Sequence, residues 1–172
     1  MAYAPEVYRE QQSLMRCGLH TLNAMFQEQA FTVKELDAIC EELAPGRSFF
    51  NPHRFPLGLG NYDVNVLEVA FSRRGLRMEW HDPRDQVTTK QLQDPNLIGL
   101  VVNQMNSNFG GMFKSRHWYC ARKLKGSFYL IDSSKKQNDR MSYDETRSFL
   151  NKKKNSGVYI FNIREGDVDV KS

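Results

Sequence analysis

His117-Trp118-Tyr119-Cys120-Ala121-Arg122-Lys123-Leu124 and Ser127-Phe128-Tyr129-Leu130-Ile131-Asp132 are two strand-like runs separated only by Lys125-Gly126. Apolar and aromatic side chains suit a pleated surface, and a two-residue break containing Gly marks a tight hairpin. The sequence therefore predicts an antiparallel pair here. With a two-residue turn, Leu124 faces Ser127 and paired residue numbers sum to 251. His117 then lies opposite Ser134, and Asp132 sits two residues from that position on the same face. Diagonal neighbours are about 7–8 Å apart, close enough for their side chains to share a hydrogen bond. One extra residue in the turn would flip one strand and separate them, so this pairing is conditional on the turn.

Upstream the periodicity is helical. From Met15 to Gln27, Leu19, Leu22, Met25 and Phe26 recur at three- and four-residue spacing on one face. Thr32-Val33-Lys34-Glu35 has the capping-box form and opens a second helix with Leu36, Ile39 and Leu43 inward, stopped by Pro45-Gly46. Residues 44–61 hold Pro45, Pro52 and Pro56 and read as an irregular loop. A third helix follows Asp63, with Val64, Leu67, Ala70 and Phe71 inward and Gly75 as its stop. Strands are predicted at Leu76–Trp80, Leu97–Val102 and Val158–Ile163, and a helix from the capping box Ser142-Tyr143-Asp144-Glu145 to about Lys154. Asn103–Arg116, with Gly110-Gly111, reads as a mobile loop ahead of His117. Helices followed by mostly antiparallel strands make an α+β pattern. One domain over residues 1–164 with a polar tail, 165–172, accounts for the chain.

Cys17 stands at or near the start of the first helix. There a thiol meets the positive end of the helix dipole and unpaired backbone N–H groups, which favour thiolate. Arg16 adds positive charge. Taken alone, Cys17 reads more readily as a small buried hydrophobe than as a nucleophile, and His117 can be a half-buried strand histidine and Asp132 a turn former. Together they follow the order of papain-like proteases: Cys on a helix, then His, then Asn or Asp on strands. Gln12, just ahead of the helix, has a side-chain amide suited to donate to an oxyanion with the Cys17 N–H. Gln11 competes for that role on spacing alone.

Bulk properties exclude several classes. The 172 residues are 40% hydrophobic, too apolar for a disordered chain, and no run approaches the roughly 20 apolar residues of a membrane span. Met1–Glu6 lacks the basic and apolar segments of a signal peptide, and three irregularly spaced cysteines suit reduced thiols, so a cytoplasmic or nuclear address is expected. The net charge is +4, but the cations are dispersed apart from Lys152-Lys153-Lys154 at a helix end, so no nucleic-acid partner is expected. Cys17-x-x-His20 has ligand-like spacing without a second pair, which argues against a metal site, and no cofactor is expected.

Glu10-Gln11-Gln12 followed by Cys17-Gly18-Leu19-His20-Thr21-Leu22-Asn23 resembles the signature of the Josephin family, E-x-Q then C-[AG]-x-H-x-L-N. The blocks Gly60-Asn61-Tyr62-Asp63-Val64-Asn65-Val66, Arg116-His117-Trp118 and Leu130-Ile131-Asp132-Ser133 match in order and spacing, so the resemblance runs from about Pro5 to Ile163. The second block and the length resemble the stand-alone members rather than the ataxin-type ones, which carry a long tail. Arg16 departs from the family, where an apolar residue, often Leu, precedes the cysteine. The resemblance implies a papain-like fold, a helical subdomain on a small sheet, and a deubiquitinase acting on ubiquitin and ubiquitinated proteins; a monomer is expected, though the sequence leaves the oligomeric state open. By matching position it implies Cys17 as nucleophile, His117 as general base, Asp132 as orienting acid, and Gln12 rather than Gln11 as oxyanion donor. His20 belongs to the signature as a hydrogen-bonded structural histidine. Two other readings stand beside this one: a ubiquitin-binding module with little or no turnover, and a transglutaminase- or acyltransferase-type enzyme with the same triad.

Overall fold

The computed structural model describes residues 6–13, 16–47, 51–54, 62–108 and 113–166. Its elements are α1 (Cys17–Phe26), α2 (Val33–Leu43), α3 (Val64–Arg73), β1 (Leu76–Trp80), α4 (Thr89–Gln93), β2 (Leu97–Asn108), β3 (Phe113–Leu124), β4 (Ser127–Ile131), β5 (Asp139–Met141), α5 (Tyr143–Lys154) and β6 (Tyr159–Glu165). The six strands form one antiparallel sheet in the order β1-β6-β2-β3-β4-β5. This is the α+β arrangement expected.

The β3–β4 hairpin has the expected register, from Leu124↔Ser127 to Cys120↔Ile131. Its turn residues Lys125 and Gly126 both have positive φ, 45° and 76°. That is the mirror-image turn whose twist matches paired strands, and it admits no bulge.

Alternation along the strands divides the core in two. Val101, Trp118, Cys120, Tyr129, Ile131, Phe161 and Ile163 face α1–α3, where Leu22, Met25, Leu36, Ile39, Leu67 and Phe71 are fully buried. Leu100, Val102, Tyr119, Ala121, Phe128 and Ile160 point to the opposite face and pack with Leu92 of α4 and Leu150 of α5. Burying each such side chain contributes about 1.5–3 kcal/mol, so both faces are strongly specified. The sheet therefore has helices on both faces, with the larger helical layer on one.

The helix ends follow their capping chemistry. Thr32 and Ser142 form the expected boxes with Glu35 and Glu145, and Asp63 accepts from Asn65 N and Val66 N to start α3. Gly75 leaves α3 with φ +77°. Lys152, Lys153 and Lys154 lie in the last turn of α5.

Five expectations need correction. The first helix begins at Cys17, two residues later than its apolar pattern suggested, and ends at Phe26 because Gln27 turns left-handed at φ 57°. Asn103–Arg116 is not one loop: β2 and β3 pair from Asn103↔Trp118 to Asn108↔Phe113, and Gly110-Gly111 lies outside the described residues. Leu43 ends α2 at 38% exposure rather than inward. The last strand is Tyr159–Glu165, and β4 stops at Ile131, leaving Asp132 in the following turn. The expected irregular stretch needs no correction where it is described: residues 44–47 and 51–54 carry no helix or strand, while 48–50 and 55–61 lie outside the described residues.

Candidate active site

Three elements converge at one end of the sheet. Cys17 is the first residue of α1, and His20 N donates to Arg16 O at 3.1 Å to open the helix. No side chain caps this end and no acidic residue sits in the first turn, so the positive end of the dipole is not neutralised there. Gly18 lets the helix start lie close to the neighbouring elements: a Cβ there would meet Leu67 at 3.3 Å, Trp118 at 3.5 Å and Tyr62 at 3.6 Å. Trp118 in turn donates from its indole nitrogen to Tyr62 O at 3.0 Å. The Arg16 departure has a visible consequence, since its Nε is a buried donor without a hydrogen-bond partner.

His117 lies on β3 opposite Gln104, and its Nε2 donates to Asp132 Oδ1 at 2.8 Å. Both side chains are largely covered, at 14% and 11% exposure. Asp132 Oδ1 also accepts from Ser134 N at 2.9 Å and Ser134 Oγ at 2.7 Å. Burial acts to raise the Asp132 pKa, but the donors from His117 and Ser134 outweigh it and hold the carboxyl below its ordinary value.

Burial also disfavours the charged His117 ring. Hydrogen bonds to Asp132 and Cys17 reverse that, and its pKa rises from 6.5 to about 9. With Nε2 committed to Asp132, the ring has Nδ1 for the thiol. The Tyr119 ring lies beside the imidazole, centroids 5.9 Å apart. A cavity of about 360 Å³ opens along the far side of the pair, lined among others by Gln104, Tyr119, Phe149 and Lys153.

Gln12 joins from the segment before α1. Its backbone N donates to Ser133 O at 2.8 Å, and Ser133 Oγ approaches Gln12 Oε1 at 3.5 Å. Gln11 is exposed. The structure thus brings Cys17, His117 and Asp132 together and fastens Gln12 beside Asp132. His20 is 8% exposed and hydrogen-bonded on both ring nitrogens, as its structural reading required.

A second Cys–His–Asp group was not anticipated. His53 Nδ1 pairs with Asp63 Oδ2 at 2.7 Å, and Cys40 lies alongside. Here the thiol contacts the His53 backbone carbonyl at 3.9 Å rather than a ring nitrogen. Burial pushes the Cys40 thiol up to about 12, so it stays neutral and inert. The Cys120 thiol, buried inside the sheet, is likewise pushed up to about 12. Of the three cysteines, only Cys17 meets an imidazole. Also missed were Ser133 and Ser134; the run Asp132-Ser133-Ser134 is a turn signature in which such hydroxyls and amides bond back to the Asp.

Among the described residues, no group of three or more His, Cys, Asp or Glu is arranged to hold a metal ion. No helix among them is long and apolar enough to cross a membrane.

The chain is similar to known proteins over most of its length. A model of the Josephin family matches residues 11–164. Josephin-2 of Mus musculus is 39% identical over 151 residues, covering 85% of this chain and 79% of its own. A Josephin-like protein of Drosophila melanogaster is 39% identical over 133 residues, covering 74% of this chain and 59% of its own. An ataxin-3 homologue of Arabidopsis thaliana is 24% identical over 177 residues, covering 92% of this chain and 59% of its own.

Proposed function

This chain belongs to the Josephin family, and from that premise we propose that it is a cysteine-type deubiquitinase acting through Cys17, His117, Asp132 and Gln12. The observation that carries the reading is the His117 ring held between the Cys17 thiol and the Asp132 carboxylate. A ring that keeps its proton up to about pH 9 presents a positive charge to the Cys17 sulfur throughout the neutral range. Cys17 also stands at the positive end of the α1 dipole.

In the proposed reaction the Cys17 thiolate attacks the carbonyl of ubiquitin's C-terminal glycine at an isopeptide bond to lysine. The resulting oxyanion is met by the Cys17 backbone N–H and the Gln12 carboxamide. His117 gives its proton to the leaving amine, and the C–N bond breaks to leave a thioester. The now neutral ring takes a proton from water, the hydroxide attacks the thioester, and the thiolate departs. Asp132 keeps the ring in orientation and stabilises its charged form without itself taking the proton.

Hydrolysis of a fluorogenic ubiquitin C-terminal substrate tests this. Wild type turns over, whereas Cys17→Ala and His117→Ala lose nearly all activity while their circular dichroism is unchanged. Activity that survives in Cys17→Ala would defeat the proposal. One observation favours the alternative of a ubiquitin-binding module with little turnover: Cys17 is only 3% exposed. A ubiquitin probe with a thiol-reactive C-terminus separates the two. Labelling abolished by Cys17→Ala supports the enzyme, and tight binding without labelling supports the module.

A further inference from the structure

The family signature contains Glu10, His20 and Asn23, which have no part in the proposed chemistry, yet they form one hydrogen-bonded group. Glu10 Oε1 accepts from Tyr8 Oη at 2.7 Å and from Asn23 Nδ2 at 2.9 Å. Its other oxygen, Oε2, contacts His20 Nδ1 at 2.5 Å. On the far side of the same ring, Ser13 N approaches His20 Nε2 at 3.3 Å. A backbone N–H only donates, so Nε2 carries the lone pair and the proton resides on Nδ1, facing Glu10. His20 therefore grips the chain at residue 10 with one nitrogen and at residue 13 with the other. Gln12 lies between these two attachments.

The opposite side of Gln12 is held as well, through Gln12 N to Ser133 O and Ser133 Oγ to Gln12 Oε1. With the carbonyl end of the amide facing Ser133, the Nε2 end is oriented as the donor. The group is also costly as a mere anchor, because His20 is 8% and Asn23 1% exposed. An apolar contact would join α1 to this segment without taking these polar side chains out of water. What the polar group adds is a fixed angle and register.

We propose that Glu10 and His20 are positioning residues that clamp the segment around Gln12, so that its carboxamide is held ready for the oxyanion before substrate arrives. This rests on the deubiquitinase reading, and the test keeps the two apart. Gln12→Ala lowers kcat by about 10²–10³, the usual effect of losing one oxyanion donor. Glu10→Gln lowers kcat by about 10-fold or more with KM nearly unchanged, and the double variant is no slower than Gln12→Ala alone, because Glu10 acts through Gln12. Alkylation of Cys17 by iodoacetamide, which forms no oxyanion, proceeds at the wild-type rate in Glu10→Gln. His20→Gln, which keeps a donor, retains more kcat than His20→Leu and serves if Glu10→Gln folds poorly.

Multiplicative losses in the double variant, or an alkylation rate that falls in step with kcat, would overturn the clamp. A wild-type enzyme without turnover would instead defeat the deubiquitinase reading. The clamp is then judged by the 15N–1H resonances of the Gln12 side-chain amide, identified by their loss in Gln12→Ala. They are dispersed in wild type and move to free-amide positions in Glu10→Gln; resonances that stay in place refute the clamp.

Discussion

Asp132→Ala removes the hydrogen bond and the charge that keep His117 protonated. In the intact protein burial pulls the imidazole down, and the bonds to Asp132 and Cys17 lift it from 6.5 to about 9. That difference is worth about 3 kcal/mol in favour of the imidazolium, since each tenfold in proton affinity is about 1.4 kcal/mol. Without Asp132 the burial remains, and His117 titrates nearer its ordinary 6.5. At pH 8 a group titrating near 9 is about 90% protonated and one near 6.5 about 3%, so the imidazolium falls about 30-fold. Loss of ring orientation comes on top of that. The assay is the pH dependence of kcat/KM on the ubiquitin substrate, from about pH 6 to about pH 10. In wild type the alkaline limb lies near 9, and in Asp132→Ala near neutrality. Asp132→Asn, which keeps an acceptor without the charge, lies between them. An alkaline limb that does not move in Asp132→Ala refutes the assignment of the His117 proton to this carboxylate.

The same proton affects stability. His117 binds it more tightly folded than unfolded, so the stabilisation is complete below about pH 6.5 and is lost as pH rises through about 9. Thermal melts of wild type decline by several degrees across that window, and a His117→Gln variant that declines in parallel would contradict the linkage. Gly99→Ala places a Cβ 2.5 Å from Ala121 O in the neighbouring strand. Because the obstacle is backbone, urea unfolding is expected to show a loss of more than about 2 kcal/mol, and a neutral outcome would show that β2 and β3 can separate locally. Arg122 donates to Met25 O at 2.7 Å, Ile98 O at 2.9 Å and Lys123 O at 2.7 Å, joining the last turn of α1 to β2 and β3. Arg122→Ala leaves these carbonyls without their charged donor and costs about 3 kcal/mol or more, read by the same unfolding experiment.

What could be read from the chain was whatever local chemistry determines. The hairpin register followed from Lys125-Gly126, because a two-residue turn with positive φ at both positions permits only one pairing. The starts of α2 and α5 followed from capping boxes. Thr88-x-x-Gln91 has the same form and caps α4, but that helix has five residues and one buried side chain, Leu92, too little for a periodic signal. The outer halves of β2 and β3 were invisible for a different reason. Asn103-Gln104-Met105-Asn106-Ser107-Asn108 is polar and carries no alternation, and its strand character comes from backbone pairing with β3. Strand β5, three residues with exposed side chains at Asp139 and Arg140, leaves no pattern either. For the site, types and order along the chain brought forward Cys17, His117 and Asp132. Spacing could not separate Gln12 from Gln11, because their difference lies in contacts with Ser133, more than a hundred residues away.

Those contacts show how distant parts of the site are kept in step. Asp132 orients His117, Ser133 receives the backbone of Gln12 and approaches its amide, and Ser134 returns two hydrogen bonds to Asp132. Three consecutive residues thus serve the acid and the oxyanion donor of the proposed reaction together. Their placement descends from the Lys125-Gly126 turn, since β4 reaches only from Ser127 to Ile131 before this tripeptide begins. A slip of one residue along β4 would move both partners at once and turn Asp132 to the other face. Helix α1 brings the thiol independently, through Gly18 against Trp118 and Tyr62. The site is therefore assembled from two rigid references, the helix start and the hairpin, and the segment carrying Gln12 is tied to both: to α1 through His20 and to the hairpin through Ser133. Joining two references through Gln12, the proposed oxyanion donor, makes its geometry a property of the fold.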